Sequence, residues 1–354
     1  MKSLQAKSAR HRAPWRDGFH YTRCLEPSAN QTHHPMKDKI LLAITVCLLS
    51  LTAIVRASEG GTTHYISGSY TDFCGMPPSQ PGLYLANYFL DYGNGEVSAS
   101  KQLPLGGIFG AGVTANSQAE VPMAIYAYPF SLYDITFSSG ISVPYLWEDV
   151  KVTASYDRNG TQISGAREQS INGLSDIEMF PIMAAWTNGD FTVGGMFNVF
   201  APTGDFDTGQ LANPGMGYWT FEPMVAFSWL SSKIGTEFTV FTGVDFNTEN
   251  TTTDYQSGDV FHVDATLAEH VPLFGGFVGA GASAFYLKQF TGDSGSGARL
   301  GSFETESAGV GPTVSYIHKI GKTTLVVDGS WLPQLHTVNT TQGNFFWAKM
   351  TLIF

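Results

Sequence analysis

The chain ends in FFWAKMTLIF (345–354), and the alternation within those residues decides the fold. Counting back from Phe354, one face carries Phe354, Leu352, Met350, Ala348 and Phe346, and the other Ile353, Thr351, Lys349, Trp347 and Phe345. Side chains that sort with a period of two belong to a β-strand. Two earlier stretches repeat the pattern. In 236–247, Phe238, Val240, Thr242, Val244 and Phe246 oppose Asp245 and Asn247. In 258–269, Phe261, Val263, Ala265 and Leu267 oppose His262, Asp264 and Thr266. The same reading predicts strands at 82–92, 119–128, 134–146, 177–186, 191–201, 217–230, 236–247, 258–269, 274–289, 304–318, 323–333 and 344–354, twelve in all.

The connections between these strands alternate in length. Short ones at 129–133, 187–190, 231–235, 270–273 and 319–322 separate long ones at 93–118, 147–176, 202–216, 248–257, 290–303 and 334–343. Tight turns at one end, long loops at the other and an even strand count describe an all-β, transmembrane antiparallel β-barrel of outer-membrane type. Closure matters because lipid cannot satisfy an unpaired strand edge. A soluble β-sandwich also alternates, but here aromatics gather near strand ends (Trp186, Tyr218, Trp219, Trp229, Trp331, Trp347), as interface girdles do. The last residue, Phe354, closes an apolar strand, where the barrel assembly machinery looks for its signal. Composition agrees. Apolar residues at 43% exclude a disordered chain, and a net charge of −11 leaves no basic stripe for nucleic acid. A mean hydropathy of −0.02 is too low for a helical multi-span protein.

Upstream lies MKDKILLAITVCLLSLTAIVRA (36–57), in which Lys37 and Lys39 precede an apolar run at 40–55. Val55 and Ala57 then occupy the −3 and −1 positions of a cleavage site before Ser58, which reads as a signal peptide. The run is shorter than the ~20 residues a spanning helix needs. Residues 1–35, basic and aperiodic, read as an upstream extension ahead of a true start at Met36. Cleavage after Ala57 removes nine of 19 basic and three of 30 acidic residues, leaving ten against 27 and a charge of −17. Cys74 is then the one cysteine, so no disulfide forms within the mature chain. An exported, acidic, disulfide-free chain suits the outer membrane of a Gram-negative bacterium. Residues 58–81, with Pro77, Pro78 and Pro81, precede the barrel domain (82–354) either as a periplasmic tail or as a hatch entering the lumen.

Particular strings carry a resemblance. NGLSDIEMFPIMAAW (172–186), APTGDF (201–206) and NPGMGYWTFEPMVAFSW (213–229), followed by FNTENTTTDYQSGD (246–259), QFTGDSGSG (289–297) and AGVGPTVSY (308–316), resemble the family named for a meta-pathway of phenol degradation. The resemblance spans roughly 82–354 and implies a transporter-like outer-membrane barrel that passes small hydrophobic molecules rather than acting on them. One departure is DGSWLPQLHTVN (328–339), more apolar and Pro-interrupted than the family pattern.

Motifs for chemistry are thin. Two GxGxxA strings, 110–115 and 279–284, lack the following helix a dinucleotide site needs, and no His spacing suits a metal. No catalytic residue, cofactor or metal is therefore expected, although His336 near Ser330, Gln334 and Asn339 keeps a barrel-rim lipid hydrolase in view. Register nominates Asp245, Asn247, His262, Asp264, Gln289 and Lys349 as lumen-facing solute contacts, and a slip of one residue would turn all of them to lipid. The leading expectation is a monomeric channel for small hydrophobic compounds, aromatic ones among them. The alternative is a non-transporting structural or surface-binding barrel. Expected partners are outer-membrane lipid and lipopolysaccharide, the assembly machinery and the solute, with no nucleic acid.

Overall fold

The computed structural model describes residues 62–102, 108–158, 161–298 and 301–354. The expected extension at 1–35, the signal peptide and its Ala57–Ser58 cleavage site lie outside them. The strands are β1 (Gly82–Gln102), β2 (Ile108–Leu132), β3 (Ile135–Ser142), β4 (Tyr145–Arg158), β5 (Thr161–Leu174), β6 (Ile177–Asn188) and β7 (Phe191–Ala201). They continue as β8 (Thr220–Leu230), β9 (Thr236–Asn247), β10 (Val260–Leu273), β11 (Gly276–Gln289), β12 (Glu306–Ile320), β13 (Thr323–Val338) and β14 (Gln342–Ile353).

All pairings are antiparallel, and β1 pairs with both β2 and β14, so the sheet closes on itself. β3 and β4 are halves of one strand broken at Val143 and Pro144, and β5 and β6 are halves of another broken at Ser175 and Asp176. Along β2, the first half pairs with β4 and the second with β3. The closed ring therefore holds twelve strands, as the alternation predicts. Among the described residues no helix is long and apolar enough to cross a membrane.

The tight connections are 133–134, 189–190, 231–235, 274–275 and 321–322. The one at 231–235 is as expected, the other four are shorter, and the turn expected at 270–273 is displaced to 274–275 because β10 runs on to Leu273. At Tyr133–Asp134 and Phe274–Gly275 both residues have positive φ, the backbone of a type I′ two-residue hairpin. The long connections need correction. Stretches expected as loops at 93–118 and 147–176 are hairpins: the β1–β2 ladder runs on to Gln102↔Ile108 and the β4–β5 ladder to Arg158↔Thr161. GAGVTANSQ (110–118) and SGAREQS (164–170) are small or polar on both faces, so a ladder can run through them without any apolar alternation. The first GxGxxA string accordingly lies in β2 and not in a loop, and the connection expected at 334–343 shrinks to 339–341. The outer edge of β5 is bound by the 202–219 connection, where Asp205 N donates to Leu174 O and Leu211 N donates to Gln169 Oε1.

Burial is inverted relative to a soluble protein. Outward positions such as Val225, Leu267 and Val314 are apolar and exposed, while Glu237, Asp245 and His262 on the inner face are fully buried. That division is the one a bilayer imposes, apolar side chains outside and polar ones within.

Residues 62–81 run through the interior. Thr62 contacts Met216 in the long-loop end, Thr71 contacts Asp328 midway, and Ser79 O accepts from Thr136 near the tight-turn end. Its one regular element is the 3-10 turn Phe73–Gly75, capped by Asp72, whose side chain accepts from Cys74 N.

Candidate functional site

The inner wall grips this segment through groups that the alternation turns inward. On β10, Asp264 accepts from the backbone N–H of Gly68 at 3.2 Å and of Tyr70 at 3.3 Å. On β14, Lys349 Nζ donates to Thr71 Oγ1 at 2.8 Å and Gly68 O at 3.4 Å, and lies over the rings of Tyr88 and Trp347. Trp347 Nε1 donates to Ser67 O, and Thr71 Oγ1 in turn donates to Asp328 on β13. On β9, Glu237 accepts from Phe73 N at 2.7 Å and sits 2.7 Å from His270 Nε2. Near the long-loop end, His64 bridges Thr220 and Asp176 and stacks on Phe200. Hydrogen bonds to ionised groups in such buried surroundings are stronger than neutral ones.

Between segment and wall an apolar cavity of about 720 Å³ remains. Tyr70, Met76, Met123, Phe180, Met196 and Trp347 line it, and it reaches the tight-turn end beside Asp190 and Ser232. Its volume falls within the range of small-molecule sites. Burial, followed by the facing Asp328 carboxylate, holds the Asp72 carboxyl well above the usual carboxylate range, and Asp72 Oδ2 has no hydrogen-bond partner. Burial and then Asp72 push the Cys74 thiol up, leaving it a packed thiol rather than a reactive thiolate.

The six nominated residues separate into three groups. Asp264 and Lys349 hold the segment. Asn247 and Gln289 hold the long loops instead: Asn247 accepts from Thr220 and donates to Gly258 O, and Gln289 donates to Asp293 and Phe303 O. Asp245 and His262 meet Glu222 of β8, with His262 Nε2 2.7 Å from Glu222 Oε1 and 3.8 Å from Asp245 Oδ1. Sequence reasoning missed Glu222, Glu237 and Asp328. The signal was present: Glu237 shares odd parity with Asp245, and Glu222 lies between outward Phe221 and Val225. It also missed what residues 62–81 touch, since an aperiodic segment carries no register. Ser330 and His336 stand six positions apart on β13, roughly 20 Å along a strand. They do not pair as nucleophile and base, and His336 lies instead 3.8 Å from Glu306.

The family model described as "Putative MetA-pathway of phenol degradation" matches residues 91–350, more than half of the chain. Among solved structures the chain is similar to the COG4313 outer membrane channel from Pseudomonas putida F1, at 11% identity and a TM-score of 0.56, over 82% of this chain and 100% of that one. CdiB from Acinetobacter baumannii is similar at 9% identity and a TM-score of 0.34, over 78% of this chain and 60% of that one. The first similarity shows the barrel fold. No curated protein matches in sequence.

Proposed function

The chain belongs to the family described as "Putative MetA-pathway of phenol degradation", and from that premise we propose that it is an outer-membrane channel for small hydrophobic compounds, aromatic ones among them, in a Gram-negative bacterium. The observation that carries this reading is the apolar cavity of about 720 Å³ inside a barrel whose bore is otherwise occupied by residues 62–81. Of the carboxylates that line it, Asp176 is bound to His64 of the segment, while Glu178 and Glu222 accept from Ser142 and Asn198 of the wall. A ring-sized apolar molecule finds Met, Phe, Tyr and Trp surfaces and an opening at the tight-turn end. Passage then proceeds by weak successive contacts, with residues 62–81 as the hatch that sets its rate. The outward apolar face meets lipid and lipopolysaccharide, and Phe354 presents the strand end to the assembly machinery.

Uptake of a labelled monoaromatic at limiting supply tests this in cells lacking the protein, complemented either with the native chain or with Met123→Trp, which fills the cavity. The reading expects slow uptake without the protein, restoration by the native chain and no restoration by the filled variant present at equal abundance in the envelope. Equal uptake in all three strains, with envelope fragility in the deletion, supports a structural barrel instead.

A further inference from the structure

Glu222, Asp245 and His262 come from three neighbouring strands and are essentially sealed from solvent, at 1%, 0% and 0% exposure. One oxygen or nitrogen from each lies within 4.8 Å of the other two. Yet Glu222 Oε1, both Asp245 oxygens and both ring nitrogens of His262 lack hydrogen-bond partners, because the close His262–Glu222 approach is not aligned as a hydrogen bond. So many unsatisfied polar atoms in one buried spot need a counterpart. From this geometry we infer that the three side chains bind a divalent first-row metal ion of the Zn²⁺ kind, set into the barrel wall behind residues 62–81.

The wall is shaped for such a site. Gly243 of β9 lies between β8 and β10, opposite both Met224 and His262. A Cβ at Gly243 would come 2.5 Å from His262 Nε2 and 2.7 Å from Met224 Cγ. Only the missing side chain lets the imidazole cross β9 and reach Glu222. Asn198 donates to Glu222 Oε2 at 2.7 Å, which fixes that carboxylate and leaves Oε1 turned to the imidazole, as outer hydrogen bonds orient metal ligands. Tyr65 stacks on His262 with ring centres 3.7 Å apart and covers the bore side.

The donor set selects the ion. One imidazole and two carboxylates suit Zn²⁺ and its neighbours, whereas Ca²⁺ takes six or more oxygens. With metal–ligand bonds of about 2.0–2.2 Å, tetrahedral donors stand roughly 3.4 Å apart. The contacts of 2.7 and 3.8 Å bracket that spacing. Three protein ligands leave a fourth position for water.

The test uses the full chain in detergent, stripped with a chelator and then titrated with Zn²⁺ or Co²⁺. Folding of each variant is followed by heat-dependent gel mobility. The native protein is expected to take up one tightly bound Zn²⁺ per chain and to give the visible absorption of four-coordinate Co²⁺. Asp245→Asn, nearly isosteric, and Gly243→Ala, which keeps every ligand but blocks the imidazole, should each weaken binding by roughly tenfold or more. His270→Gln, which alters the other buried His–Glu pair, should leave it unchanged. Folded native protein that binds neither metal, or Asp245→Asn and Gly243→Ala proteins that bind as the native one does, overturns the proposal and leaves protons as what satisfies the cluster.

Discussion

Lys349 is a charge held inside the barrel, and the segment supplies most of what it touches: Thr71 Oγ1, Gly68 O and, through Thr71, Asp328. Lys349→Met keeps the stem's packing against Tyr88 and Trp347 but removes the ammonium 3.8 Å from Asp328 and leaves the Gly68 carbonyl without its Lys349 donor. Removing one partner of such a buried network costs on the order of 2–3 kcal/mol. The undocked population of residues 62–81 should therefore rise roughly a hundredfold, read as frequent large openings in planar-bilayer recordings where the native protein shows few. Asp72 adds a pH dependence. Its docked carboxyl binds a proton more tightly than the free one, because burial and Asp328 disfavour the charge. Docking therefore gains stability as pH falls from that raised value toward the ordinary carboxylate range near ~4, and loses it as pH rises. Openings should be rarer at acidic than at neutral pH, and Asp72→Asn should flatten that difference.

Strand β10 shows how one element reports its surroundings. Leu267 is 60% exposed on the outer face, while Thr266 beside it is sealed within. Leu267→Arg, at the middle of β10, should cost about 2–4 kcal/mol, measured as folded fraction in lipid vesicles against urea. Glu269→Arg, two residues toward the tight turn and already charged and exposed, should change folding by less than about 1 kcal/mol. That contrast is also why the strands were legible. Phe261, Val263, Ala265 and Leu267 alternate with His262, Asp264 and Thr266 because lipid and bore impose opposite demands on neighbouring side chains. Where lipid no longer makes that demand, as in 164–170, the ladder continues while the pattern fades, so those hairpins read as loops. The inward cluster was half legible for a related reason: parity places Asp245 and His262 inside, but only the paired strands reveal that Gly243 opens the way to Glu222. The contacts of residues 62–81 were illegible, since their specificity resides in backbone groups of Ser67, Gly68 and Tyr70 that any sequence would offer.

At the scale of the molecule, a closed ring of twelve strands frees the inside from contributing to an oily core. The bore is instead shared between a polar grip on residues 62–81 and an apolar cavity that the grip leaves open. The account stands on that cavity being a place where a small hydrophobic molecule rests. The direct measurement is a crystal of the protein soaked with a brominated benzene, with the halogen located by its anomalous signal. The account predicts bromine between Phe180, Met196 and Trp347, absent when Met123→Trp crystals are treated alike. Bromine found only on the outer, lipid-facing surface, or equally in both proteins, would contradict it.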